Sequence, residues 1–190
     1  GNTTALVVAD LPFGSYETGV SDALATGIRF FKEAKVQAVK LEGGKKVVPQ
    51  IEALIAAGIP VMGHLGLTPQ SVHALGGFKV QGRGEDGERI KEDARALQKA
   101  GVFALVLELV PASLGREIAE ELSIPIIGIG AGNGCDAQVL VWTDLMGLTP
   151  KPPKFARKYL DLRSIMISAV ESFTADVKSG EFPSPNETFE

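Results

Sequence analysis

The chain has 190 residues, of which 45% are hydrophobic and 22% charged, with a formal net charge of −4. This is the composition of a folded domain, and it excludes disordered and collagen-like classes. A mildly acidic chain without a basic cluster is a poor match for nucleic acid or an anionic membrane surface, and no apolar run reaches the ~20 residues needed to span a bilayer.

In chain order, six short runs rich in Val, Ile and Leu read as strands. They are ALVVAD (5–10), VQAVKLE (36–42), IPVMGHLG (59–66), VFALVLEL (102–109), IPIIGIGAG (124–132) and AQVLVW (137–142). Their nearly continuous apolar character suits parallel strands buried on both faces. The first run opens the chain abruptly, without the regions of a signal peptide. That start leads to the expectation of a missing N-terminal segment.

Amphipathic helices are predicted between the runs. Residues 19–34 place Val20, Leu24, Ile28 and Phe31 on one face, and residues 47–57 place Val48, Ile51, Leu54 and Ile55 together. Residues 88–100 do the same with Ile90, Ala94 and Leu97, and residues 112–122 with Leu114, Ile118 and Leu122. Three- and four-residue steps are the spacing of a helix packed on a sheet. After Pro150 the pattern predicts a helix over about 153–178, then a polar, Pro-rich tail. This end is expected to pack on a neighbouring subunit or to fray.

Strand and helix in alternation define a parallel α/β architecture, either an open doubly wound sheet or a β/α barrel. Six strands are visible where a barrel needs eight. Residues 1–150 read as a partial barrel that carries the chemistry, and 151–190 as C-terminal helices and tail of the same domain. The stretch from His64 to Ile90 lacks clear helical periodicity, and a long structured loop is usually functional.

The polar residues fall at strand ends. Asp10 ends the first run, Lys40 and Glu42 the second, His64 lies near the end of the third, and Glu108 near the end of the fourth. In a parallel β/α sheet these ends share one side, where ligands bind. A single carboxylate there is more often a helix cap or a surface group. Five ionisable residues on four consecutive strand ends point to a site. Lys79 and Arg83, in the long loop, fit solvated positions better. Cys135 is the one cysteine, so no intrachain disulfide forms, which suits a reducing compartment. It reads as a small apolar filler.

Asp10 and Glu42 are hard oxygen donors of the kind Mg²⁺ takes alongside waters and a chelating substrate. No His or Cys has the spacing of a zinc site. Lys40 is two residues from Glu42, hence on the same strand face, where it can neutralise a substrate carboxylate. Glu108 can act as a general base. Together these imply metal-assisted enolisation of an α-keto acid.

The segments ADLPFGSYE (9–17), VKLEGG (39–44), GHLGLTPQSV (63–72), GGFKVQGRG (76–84), VLELVP (106–111), IPIIGIGAGNGCDAQVLV (124–141) and PKFARKY (153–159) resemble those of the ketopantoate hydroxymethyltransferase family, in the family's order. The resemblance implies a (β/α)8 TIM-type barrel with a Mg²⁺ site, assembled into a homo-oligomer, often a decamer. It implies transfer of a one-carbon unit from 5,10-methylenetetrahydrofolate to 3-methyl-2-oxobutanoate, giving 2-dehydropantoate on the route to pantothenate and coenzyme A. By the same resemblance Asp10 and Glu42 are metal ligands, Asp10, Lys40 and His64 contact substrate, and Glu108 is the proton acceptor. The protein would be cytoplasmic, or mitochondrial in a eukaryote.

In the family, ADLPF marks the third barrel strand. The two earlier strands, and the Asp-Ser pair that supplies a further metal ligand, have no counterpart in this sequence. The expectation is that the chain alone is poorly soluble and weakly active, or recruits those strands from a complementing N-terminal segment. Two other readings stand beside this one. A Mg²⁺-dependent keto-acid C–C lyase or phosphonomutase-like barrel would keep the site and change the reaction, although the GGFKVQGRG loop argues against it. An inactive ligand-binding paralogue would keep the GIGAGNG turn, which is similar to barrel phosphate sites.

Overall fold

The computed structural model describes residues 3–189, which form two compact units, 3–139 and 140–189. The first unit holds all six strands: β1 (Val8–Asp10), β2 (Ala38–Lys40), β3 (Val61–Gly66), β4 (Ala104–Glu108), β5 (Ile126–Ile129) and β6 (Ala137–Gln138). They form one sheet in the order β1-β2-β3-β4-β5-β6, with every pair parallel. A doubly wound sheet reverses its strand order at a switch point. Strictly consecutive order keeps the right-handed crossovers turning one way, so the helices share one face. This is the arrangement of a β/α barrel, here represented by six strands.

Four helices lie between the strands: α1 (Val20–Arg29), α2 (Val48–Ala56), α3 (Asp86–Ala100) and α4 (Ala112–Glu121). β5 and β6 are joined by the loop 130–136 alone. The strand residues alternate between two environments. Val39, Leu41, Val61, Leu65, Leu105, Leu107 and Ile126 join one buried cluster with Ile51, Leu54, Ile90, Ala94, Leu97, Leu114 and Ile118 of the helices. The residues between them in β2–β4 (Lys40, Glu42, Met62, His64, Val106, Glu108) face the other way, because strand side chains alternate with a period of two. One sheet face therefore supplies the core and the other is left for a site. Leu107 is fully buried in the core layer. Leu107→Ala should cost about 2–5 kcal/mol in urea unfolding through lost contact and a residual cavity, without touching the opposite face.

Three expectations are corrected. The buried face of α1 is not Val20 and Ile28, which are exposed, but Ala23 and Gly27, with Leu24, Phe30 and Phe31 partly covered. Gly27 lets α1 approach α2 closely: a Cβ there would lie 2.5 Å from Leu54. The sixth strand stops at Gln138, and Trp142–Leu145 is a short helix, α5. The last helix, α6, runs Leu162–Ser179 rather than from about 153.

The second unit accounts for that shift. The backbone N–H groups of Tyr159 and Leu162 donate to the Leu145 and Met146 carbonyls at 2.9 and 3.0 Å, holding the preceding segment off a helical path. Asp161 then caps α6 by accepting from the Ser164 N–H, and Gly180 closes it at φ +78°. Within this unit α6 buries none of its residues. No helix among the described residues is long and apolar enough to cross a membrane.

Candidate active site

Register brings the strand ends level. Asp10 of β1 pairs with Lys40 of β2, and Gly66 of β3 pairs with Glu108 of β4. The β2 path continues past its formal end, since the Leu41 and Gly43 N–H groups donate to the Met62 and His64 carbonyls. Glu42 is thereby held beside His64.

The five predicted residues form one connected cluster. Lys40 Nζ lies 2.7 Å from Asp10 Oδ2 and 3.2 Å from His64 Nδ1. His64 Nδ1 lies 3.7 Å from Glu42 Oε1, too far for a hydrogen bond. On the ring's other side, Nε2 lies 3.3 Å from Glu108 Oε2. Glu42 and His64 are buried, with side chains 3% and 4% exposed, whereas the Asp10 side chain is half exposed.

The lysine settles the tautomer of the ring. An ammonium donates and cannot accept, so Nδ1 presents its lone pair to Lys40 and the proton sits on Nε2. That Nε2–H is buried and has no hydrogen bond, because its approach to Glu108 is close but poorly aligned. It is an unused donor 3.3 Å from the carboxylate that the sequence analysis reads as the base.

Two neutral side chains join the cluster that the sequence analysis missed. Tyr16, 1% exposed, donates its hydroxyl proton to Gln70 Oε1 at 2.9 Å and accepts from the Glu42 N–H at 3.3 Å. Burial raises the Tyr16 phenol well above its ordinary range, so it stays a donor. Gln70 sits in the one-turn 3₁₀ segment Pro69–Ser71 after β3. Both lie inside segments already singled out, but neither carries a charge to mark it. Gln50 supports Tyr16 from α2, its Nε2 donating to the Tyr16 carbonyl at 3.1 Å. A buried Gln on the apolar face of α2 was a readable signal.

Lys79 and Arg83 stay exposed and make no ion pair among the described residues. Their loop nonetheless docks beside the site, with the Gln81 N–H donating to the Leu109 carbonyl at 2.9 Å. Leu109 follows Glu108 and adopts φ +48°, a left-handed backbone that is uncommon for a bulky residue and often found at functional sites. A cavity of about 320 Å³ lined by Pro12, Thr26, Arg29 and Phe30 contains none of the five strand-end residues.

Among the described residues no group of three or more His, Cys, Asp or Glu side chains is arranged to hold a metal ion. Asp10 and Glu42 are the two carboxylates that the sequence analysis expects to ligate Mg²⁺. Their surroundings fit a cation: three carboxylates share the cluster with one ammonium, and Glu42 Oε1 has no hydrogen bond among the described residues. Burial raises the Glu42 carboxyl above its ordinary 4.5, and Asp10 adds to this. Neighbouring His64, the Gln70 N–H and Lys40 oppose it. A raised folded value means that the folded state holds the proton more tightly. Without a bound cation, stability is fullest below pH 4.5 and is lost as pH rises through the raised folded value. Glu42→Gln should remove that loss, so its advantage in melting temperature over the wild type should grow with pH across this window. A pH-independent difference would contradict the assignment.

A consecutive parallel sheet carrying a lysine, a histidine and three carboxylates at its C-terminal ends defines a β/α-barrel protein with a candidate acid–base site. The comparisons narrow this class. Residues 1–185 match the sequence profile of the family described as ketopantoate hydroxymethyltransferase, and the chain belongs to that family. It is 61% identical over 180 residues to the 3-methyl-2-oxobutanoate hydroxymethyltransferase of Acidothermus cellulolyticus, covering 94% of this chain and 66% of that protein. It is 56% identical over 184 residues to the protein of the same name from Frankia casuarinae, covering 96% of this chain and 62% of the relative. The chain thus spans just under two thirds of the length of these relatives. Among solved structures, N-acetylneuraminate lyase from Mycoplasma synoviae aligns with 14% identity and a TM-score of 0.45, over 64% of this chain and 44% of that one.

Proposed function

We propose that this chain carries the hydroxymethyl-transfer site of its family, acting on 3-methyl-2-oxobutanoate with 5,10-methylenetetrahydrofolate as one-carbon donor. The observation that carries the reading is the Lys40–His64–Glu108 chain of contacts at 3.2 and 3.3 Å, on the sheet face opposite the core. Membership of the family and the names of the relatives support the substrate pair.

Each residue has a separate task. Lys40 pairs with the carboxylate of the keto acid. Its present partner, Asp10, is half exposed and can yield that contact. Glu108 removes the proton from the branched carbon beside the keto group. The enolate carbon then bonds to the folate's one-carbon unit as both C–N bonds of that methylene break, one water supplies the hydroxyl oxygen, and tetrahydrofolate leaves with its two nitrogens protonated. His64 Nε2–H lies 3.3 Å from Glu108 Oε2, close enough to donate to the carboxylate once the two realign on substrate binding. Asp10 and Glu42 would hold Mg²⁺, with a further ligand from outside the described residues. Bound there, the ion would polarise the keto oxygen and stabilise developing negative charge.

The reading extends to a homo-oligomer in the cytoplasm. Exposed Met166, Val170, Phe173 and Val177 at helical spacing along α6 support association between copies. Exposed Leu6, Val7 and Phe13 around β1 support cover by further chain at that edge.

The test is a one-carbon transfer assay with and without the folate, run on the full-length gene product. Folate-dependent formation of 2-dehydropantoate that requires Mg²⁺ is expected. Folate-independent cleavage of the keto acid would instead assign a lyase. Binding without turnover would assign a ligand-binding paralogue.

A further inference from the structure

We propose that Tyr16 and Gln70 form a positioning strap that sets which oxygen of Glu42 faces the site and couples Glu42 to the chain just after Asp10. The proposal rests on the functional reading above, in which both carboxylates bind a divalent cation.

The strap joins three strand ends through one residue, using both its backbone N–H and its side chain. The Gln70 backbone N–H donates to Glu42 Oε2 at 3.0 Å. Its side-chain Nε2 donates to the carbonyl of Leu11, the residue after Asp10, at 2.8 Å. Its Oε1 accepts from the Tyr16 hydroxyl at 2.9 Å, and the same hydroxyl accepts from the Glu42 backbone N–H at 3.3 Å. Tyr16 is buried and anchored from behind by Gln50. The ends of β1, β2 and β3 are thus cross-linked by Tyr16 and Gln70 in addition to the sheet's own backbone bonds.

This geometry selects an oxygen. Glu42 Oε2 is taken by Gln70, so Oε1 is left without a hydrogen bond on the His64 side. A carboxylate held in this way presents one fixed donor atom and loses no rotamer freedom on binding. Groups that orient metal-binding side chains in this manner are worth about 10–100-fold in metal affinity. Neither Tyr16 nor Gln70 touches the reacting atoms in this account, so both act through Glu42 and Asp10.

The experiment uses Mn²⁺ alone as the probe, read by electron paramagnetic resonance on the full-length gene product, with thermal unfolding followed in parallel. Gln70→Met keeps the side-chain length and the backbone N–H but loses both side-chain hydrogen bonds. Tyr16→Phe keeps the ring and loses the hydroxyl. Each variant should bind Mn²⁺ about 10–100-fold more weakly while remaining folded. If Gln70→Met does not fold, Tyr16→Phe carries the test. Unchanged Mn²⁺ affinity in a folded variant overturns the strap and leaves the proposed function standing. A wild-type protein that binds no Mn²⁺ overturns both the strap and the metal reading, and does so before any substitution is made.

Discussion

Replacing Glu108 with Gln should slow solvent-proton exchange at the branched carbon of 3-methyl-2-oxobutanoate by about 10²–10⁴-fold, with little change in keto-acid affinity. Gln keeps the shape of the side chain and its contact with His64, but it cannot take a proton. The geometry separates the two effects. Lys40, assigned to the substrate carboxylate, reaches Glu108 only through the His64 ring, with 3.2 Å on one side and 3.3 Å on the other. Exchange followed by NMR in deuterated water isolates proton removal from the later attack on folate. Unchanged exchange would remove Glu108 from the role of base.

Gly66→Ala should be the most damaging single-methyl addition near the site, costing about 2–5 kcal/mol. Gly66 sits at φ +89°, where an L side chain costs about 1–2 kcal/mol. A Cβ there would lie 2.1 Å from the Glu108 carbonyl oxygen, which cannot retreat easily because it accepts from the Leu67 N–H at 2.8 Å. Overpacking against fixed backbone adds about 1–3 kcal/mol. Because Gly66 and Glu108 are register partners, the substitution should also displace the base. Urea unfolding and proton exchange should therefore fall together. A stability loss below about 1 kcal/mol would mean that the close approach is relieved by a small shift of β3.

Much of this arrangement was legible in the sequence because it depends on period and on strand ends. Val39 and Leu41 fall on one face, and Lys40 and Glu42 on the other, as the period of two requires. The charged residues at the ends of four runs converge because parallel strands all end on one side. The face of α1 was hidden for a physical reason: its contact with α2 is made by Ala23 and Gly27, whose small size permits close approach, while the larger Val20 and Ile28 point away. The start of α6 was hidden because it depends on hydrogen bonds from Tyr159 and Leu162 to carbonyls more than ten residues earlier. Tyr16 and Gln70 escaped notice because a neutral hydrogen-bonded pair leaves no charge pattern, and only the fold brings residues 54 positions apart into contact.

Under the proposed function, the contacts of His64 divide the site into a binding side and a proton-transfer side. Toward Nδ1 lie Lys40 and Glu42, and toward Nε2 lies Glu108. A keto acid has the same polarity, with its charged and chelating oxygens at one end and its acidic C–H at the other. The match between these two orderings is the central claim. It is tested most directly by a crystal structure of the full-length gene product with 3-methyl-2-oxobutanoate and Mg²⁺. The account predicts the substrate carboxylate against Lys40, the metal on Asp10 and Glu42, and the branched carbon within about 3–3.5 Å of a Glu108 carboxylate oxygen. A keto acid bound with its branched carbon turned away from Glu108, or bound off this sheet face altogether, would contradict it.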